Sequence, residues 1–184
     1  MLKRIAAALL ALGLAGAAPA QEPAAVPATG TLQAAFTPGD PADRMIIEAI
    51  GRARREVLVQ AYTFTHRKIA SALIRAQQRG VTVRVVADAQ QAANVPNSIL
   101  PALTRGGVEV FLDAAHEAAH NKVMVIDAPG PDAAVITGSY NFTYSAQSRN
   151  AENLLLIRGN HALARAYRED WLRHREHATP FAHP

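Results

Sequence analysis

The sequence predicts an α/β protein with one mixed β-sheet covered by helices on both faces. Three observations carry this. Apolar runs of strand length alternate with helical patterns in the order strand–helix–strand–helix–strand, the pattern of a parallel sheet with crossover helices. One of them, VTVRVVAD (81–88), is apolar enough to be buried on both sides. Three more strand-like runs then follow close together, KVMVID (122–127), AVIT (134–137) and NLLLI (153–157), which adds antiparallel pairing.

In chain order, residues 1–20 open with Lys3 and Arg4, continue as an apolar run over 5–14 and end in Ala18-Pro19-Ala20. That is the grammar of a secretory signal peptide cleaved near Ala20, and the run is shorter than the roughly 20 residues a membrane span needs. The expectation is an exported protein, periplasmic or secreted, with no stable membrane insertion after processing; a retained N-terminal anchor is the alternative. Residues 21–31, QEPAAVPATGT, read as a flexible tether, 32–176 as a single domain and 177–184 as a tail.

Leu32 and Phe36 are candidate anchors of an edge strand. Asp40 is expected to cap a first helix with Pro41 at its first position, followed by Met45, Ile46, Ala49 and Ile50 at helical spacing. VLVQAY (57–62) reads as a strand. RKIASALIRAQQR (67–79) is an amphipathic helix with Ile69, Leu73 and Ile74 inward, stopped by Gly80. After the 81–88 strand, a short helix over 99–104 ends at Gly106-Gly107, and VEVFLD (108–113) is a third strand. The final helix spans about 161–174 with Leu163, Ala166, Tyr167 and Trp171. The last stretch, HREHATPFAHP, is polar and expected to fray. No internal repeat is present.

The chain has no cysteine, which excludes disulfides, thiolate catalysis and thiolate metal sites. Its formal charge of +4 falls on processing, because losing Lys3 and Arg4 leaves 17 basic against 15 acidic residues. Affinity for a polyanion must therefore come from a local cluster.

The chemistry concentrates in HNKVMVIDAPGPDAAVITGSYN (120–141). If KVMVID and AVIT pair across the six-residue loop 128–133, Asp127 faces Ala134, Lys122 faces Ser139 and His120 faces Asn141. Positions two apart, and positions directly opposite, share a face of a sheet. Four polar side chains then meet at the open end of one hairpin, with Asp127 at the far end. Lys122 supplies a fixed cation, Ser139 and Asn141 neutral donors and acceptors, and His120 a nucleophile, base or acid near neutral pH. A cation beside neutral donors suits a phosphate oxyanion better than a metal, which would want several carboxylates.

These residues, H-x-K-x4-D followed by G-S-x-N, resemble the HKD motif of the phospholipase D superfamily, and in particular its small exported endonucleases with one motif per chain. The matching residues are His120, Lys122, Asp127, Gly138, Ser139 and Asn141, with Asn150-Ala151-Glu152-Asn153 also in pattern. The interval between Asp127 and Gly138 is longer than the family's usual one, and the surplus falls in the Pro-Gly turn. The resemblance implies an α-β-α sandwich and a metal-independent phosphodiesterase without cofactors, most simply a low-specificity endonuclease acting on DNA or RNA. It implies that His120 attacks phosphorus to form a phosphohistidine, that Lys122 and Asn141 hold the phosphoryl oxygens with support from Ser139, and that Glu152 orients His120. Asp127 is counted with the catalytic set His120, Lys122, Ser139, Asn141 and Glu152, as a structural partner at the motif's end and not a proton carrier. One motif per chain implies a homodimer with a shared active site, two copies of His120 flanking one phosphate.

Two rival functions remain: a phospholipase D acting on lipid head groups, and a non-catalytic nucleic-acid-binding dimer. HEAAH (116–120) also spells a zinc-protease signature, which needs a helix presenting both histidines on one side and a third ligand downstream, but the candidate helix has only residues 113–120, squeezed between two strands. No metal site is expected. His116 is instead expected to assist with substrate, as is Arg149, while Tyr140 and Tyr144 could stack on bases. Arg52, Arg54 and Arg55 are weak evidence for a nucleic-acid track.

Overall fold

The computed structural model describes residues 22, 23 and 25–182. The expected signal peptide therefore lies outside the described residues. The first half of the chain runs β1 (Thr31–Thr37), α1 (Ala42–Arg52), β2 (Glu56–Ala61), α2 (Arg67–Gln78), β3 (Thr82–Asp88), α3 (Ala89–Asn94) and α4 (Leu100–Arg105). The second half runs β4 (Glu109–Asp113), β5 (Lys122–Ile126), β6 (Ala134–Gly138), α5 (Tyr144–Ser148), β7 (Glu152–Arg158), α6 (His161–His177) and β8 (Thr179–Pro180).

The strands form a single sheet in the order β1-β7-β6-β5-β2-β3-β4-β8. β2, β3 and β4 are parallel, and every other pairing is antiparallel. The mixed sheet expected from the sequence is therefore present. Side-chain alternation divides the core into two layers. On one face Ile46 and Ile50 of α1, Ile69 and Leu73 of α2, and Leu100 and Leu103 of α4 cluster with Val57, Val59, Val85, Met124 and Ile136. On the other face α6 alone covers Leu58, Val86, Phe111, Val123, Val125 and Val135, through Ala164 and Trp171. Trp171 is fully buried, and its indole N–H donates to the Val59 carbonyl at 2.9 Å, so the helix is fixed to β2 by a polar contact inside an apolar layer.

Several expectations need correction. β1 is an edge strand, but Leu32 and Phe36 are 66% and 62% exposed; Ala35 and Thr37 face inward instead. α1 begins at Ala42, and Asp40 does not cap it: its carboxylate accepts from the Phe36 backbone N–H and holds the turn before the helix. The polar end of the chain does not fray within the described residues. α6 continues to His177, and β8 then pairs with β4, Leu112 opposite Thr179. The short helices α3 and α5 were not anticipated. Both are set by polar caps, with Asp88 and Thr143 accepting from the N–H three residues on, and neither has enough turns to show an apolar period.

The topology also defines where a site can form. After β4 the chain turns back through residues 114–121, past β3 and β2, and enters β5 on the other side of β2. The carboxyl ends of β2, β3 and β4 meet the start of β5 at this reversal of strand order, where open α/β sheets bind ligands.

Candidate active site

The returning segment is pinned by carboxylates and backbone. Asp88, at the end of β3, accepts from the Ala119 N–H at 2.9 Å, and the Asn121 carbonyl accepts from Tyr62 N–H at 3.0 Å. His120 is thereby held just before β5 and exposed, while Lys122, the first residue of β5, is buried opposite Ala61. The Lys122 ammonium donates to the His120 carbonyl oxygen at 2.7 Å. Tyr62 lies under both, its ring centroid 4.3 Å from that of His120 and 4.7 Å from the ammonium. Burial pulls the Lys122 pKa down to about 8, against the opposing attraction of Glu152. The sequence reading missed Tyr62; its place in QAYTFT, at the end of a strand beside the hairpin, was the available signal.

The hairpin register differs by one residue from the expected one. Met124 faces Ile136 and Ile126 faces Ala134, which directs Lys122 toward Gly138 and not Ser139. Continued regularly, this slip would send Ser139 and Asn141 to the wrong face. Beyond Gly138 the regular ladder gives way to a bulge against β7. The N–H groups of Ser139 and Tyr140 both donate to the Asn153 carbonyl, at 3.1 and 3.3 Å, so two residues oppose one. Gly138 makes the turn possible with φ of 147°, and a Cβ there would run into the Asn153 carbonyl. The chain then pairs Phe142 with Phe64 beyond the end of β2, carrying Asn141 across the end of β5. The buried Asn141 Oδ1 has no hydrogen-bond partner within the protein, so its amide is not committed to the fold.

Glu152, at the start of β7, completes the edge. Its Oε2 accepts from Ser139 Oγ at 2.6 Å and its Oε1 from Asn150 Nδ2 at 2.9 Å. Ser139 Oγ in turn accepts from the Asn153 backbone and side-chain N–H groups, at 3.1 and 3.3 Å. The expected hydrogen bond from Glu152 to His120 is not formed; Ser139 and Asn150 occupy both carboxylate oxygens.

The structure thus brings His120, Lys122, Ser139, Asn141 and Glu152 to one sheet edge. It removes Asp127, expected among the catalytic residues, to the opposite end of β5, about 16 Å away at ~3.3 Å per strand residue. There its carboxylate accepts from the backbone N–H groups of Arg54, Arg55 and Glu56, at 2.8, 2.7 and 3.0 Å, and ties the α1–β2 turn to the hairpin. Arg52, Arg54 and Arg55 lie at this far end too and cannot line a track to the site. Tyr140 is buried, with its hydroxyl directed to Gln147, and cannot stack on a base; Tyr144 is 64% exposed. Arg149 is exposed just after α5. His116 does not face the site. Its Nδ1 lies 3.2 Å from Asp113 at the end of β4, three strands from β5 and roughly 14 Å away at ~4.8 Å per strand.

Comparison with known proteins agrees with this fold. Residues 46–174 match the family described as cardiolipin synthase, PLD-like domain. A phospholipase D of Rickettsia felis is 40% identical over 137 residues, covering 74% of this chain and 66% of that protein. A mitochondrial cardiolipin hydrolase of Xenopus laevis is 32% identical over 130 residues, covering 71% of this chain and 59% of that protein. The chain thus spans slightly less than two thirds of the length of these relatives. Among solved structures, a phospholipase D family member, Nuc from Salmonella typhimurium, superposes with a TM-score of 0.77 at 28% identity, over 84% of this chain and 100% of that one. With a family match across most of its folded length and a polar edge built from His120, Lys122, Ser139 and Asn141, the chain belongs to the phospholipase D superfamily.

Proposed function

We propose that this protein is a metal-independent phosphodiesterase that cleaves nucleic acid, DNA or RNA, through a phosphohistidine on His120, in a homodimer whose two His120 residues share one site. The observation that carries the reading is the pairing of an exposed imidazole with a buried ammonium, both resting on Tyr62. The donor set also supports it. The edge offers one cation, one imidazole, a hydroxyl, an amide and a single carboxylate whose oxygens are already engaged. Hydrolases that work through divalent ions present several free oxygen ligands.

In this mechanism a ring nitrogen of His120 attacks phosphorus and the bond to the leaving oxygen breaks, giving a covalent phosphoenzyme. The partner's His120, protonated, donates its proton to the leaving oxygen. The same imidazole then accepts a proton from water as the water attacks phosphorus and the P–N bond breaks. Lys122 has already placed one N–H on the His120 carbonyl, which fixes the ammonium and leaves its other protons for the phosphoryl oxygens. Ser139 acts on Glu152, and Asn141 reaches the phosphate.

Exposed Arg67, Lys68 and Arg149, with exposed Tyr144, supply cations and a stacking surface for a polynucleotide on this side of the sheet. Lipid head groups are the second reading, favoured by the relatives named phospholipase D and cardiolipin hydrolase. Plasmid nicking and RNA cleavage in EDTA, run beside head-group release from choline and cardiolipin vesicles, separate the two. Wild type should cut nucleic acid and His120→Ala should not; turnover of vesicles alone would replace the first reading with the second.

A further inference from the structure

Away from the phosphodiesterase edge, Asp113, His116, His174 and His177 form a second constellation, and we propose that it is a structural binding site for one divalent transition-metal ion, zinc being the best fit. The proposal does not depend on the phosphodiesterase reading. His174 and His177 stand three apart on the last turn of α6, so their rings share a face of the helix. Asp113 ends β4, and His116 follows it by one turn of loop. Three ring nitrogens converge on one carboxylate: His174 Nδ1 at 2.7 Å and His177 Nε2 at 3.1 Å from Asp113 Oδ2, and His116 Nδ1 at 3.2 Å from both Oδ2 and Oδ1.

That arrangement is poorly explained as hydrogen bonding alone. The Ala115 N–H already takes Oδ1, and three imidazoles gathered round one buried carboxylate, their ring centroids 4.9 to 5.5 Å apart, are more than that carboxylate needs to be satisfied. Four ligand atoms within 4.8 Å of one another are, in contrast, close to a tetrahedral shell, whose edges are roughly 3.4 Å for bonds of ~2.0–2.1 Å. His116 and His177 are partly exposed and can close the remaining distance, while Asp113 is buried and fixed. Three imidazoles and one carboxylate, with no thiolate, suit zinc among the first-row ions.

Two surrounding features favour a cation here. The site sits at the C-terminal end of a 17-residue helix, where the helix dipole is negative. His174 presents its other ring nitrogen, Nε2, to Asp170 at 3.9 Å, so a carboxylate lies behind a metal-ligating imidazole. Four protein ligands leave no open position, which makes the ion a clamp and not a catalyst. It would lock the end of α6 to β4 and to the loop that delivers His120 four residues after His116, in a chain that has no disulfide to do so. The HEAAH signature thus contains one true ligand, His116, while its second histidine belongs to the other site.

The test uses untagged protein stripped with chelator and exchanged into metal-free buffer. Zinc titration by calorimetry should give one equivalent per chain, cobalt(II) should give the visible spectrum of a tetrahedral nitrogen–oxygen site, and saturating zinc should raise Tm by about 5 to 10 °C. His177→Gln and His116→Gln, both at partly exposed positions, should each lose the cobalt spectrum while keeping the far-UV circular dichroism of wild type. His120→Ala should still bind one equivalent. Absence of stoichiometric binding by folded wild type would overturn the proposal, as would unchanged affinity in His177→Gln. Loss of binding in His120→Ala would move the ion to the HEAAH pair and overturn it equally.

Discussion

The ammonium of Lys122 and the backbone carbonyl oxygen of His120 lie 2.7 Å apart, so the cation of the site is anchored by the residue proposed as its nucleophile. Burial of Lys122 and the stacking of both side chains on Tyr62 make the pair a single unit. Removing the ammonium should therefore disturb both charge stabilisation and the placement of His120. Lys122→Ala is expected to lower kcat about 10²- to 10³-fold, the usual cost of losing a preorganised donor to a developing oxyanion. Steady-state cleavage in EDTA, on protein with an unchanged circular dichroism spectrum, measures it.

Lys122 also predicts opposite effects of pH on activity and stability. Its folded pKa of about 8 lies below the 10.5 of an unperturbed lysine because the buried ammonium is poorly solvated. Between these values the unfolded chain binds more protons than the folded one, so this residue's contribution to stability becomes more favourable as pH rises from about 8 to 10.5. In the proposed mechanism activity needs the charged form and should fall over the start of the same interval. Lys122→Arg, which stays charged, should retain its residual activity at alkaline pH; an unchanged alkaline limb would assign that limb to another group.

Asp127 is predicted to matter for stability and not for chemistry. Its carboxylate accepts three backbone N–H groups at the end of β5 away from His120. Asp127→Ala strands those donors and should cost about 2 to 4 kcal/mol, read by chemical denaturation. In the folded fraction, kcat should stay within a few-fold of wild type.

Gly138 is predicted to tolerate no side chain. With φ of 147° and the Asn153 carbonyl where a Cβ would stand, Gly138→Ala must displace the bulge that leads into Ser139 and Asn141. A loss of about 1 to 3 kcal/mol in stability and a collapse of activity are expected together. Substitution at Gly51, where a Cβ meets nothing within 4 Å, is the control.

How much of this was legible depended on how local each signal was. The apolar runs in VTVRVVAD and KVMVID specified buried strands, and the two-residue step from His120 to Lys122 placed both at one strand end. The register was misread by one because Asp127 was counted as the last strand residue. Its left-handed backbone, φ 50°, and its hydrogen bonds to the α1–β2 turn pull it out of the ladder, which ends at Ile126. Ser139 lies beyond the end of the β6 ladder, where it turns to Glu152 instead of facing Lys122. His174 and His177 were read as part of a fraying tail because their partners, Asp113 and His116, lie some 60 residues earlier. The packing of α6 across the sheet, with the Arg175 guanidinium 3.5 Å over the Phe111 ring, and the two-residue pairing of β8 with β4 bring the helix end back to them.

The most direct test of the account is to trap the covalent intermediate. Wild-type protein mixed with DNA, quenched in alkaline denaturant and digested, should yield a peptide in which His120 carries a nucleotidyl phosphate, stable in base and lost in acid. His120→Ala should yield none. Turnover at the wild-type rate with an unmodified His120 peptide, or an adduct on any other residue, would contradict it.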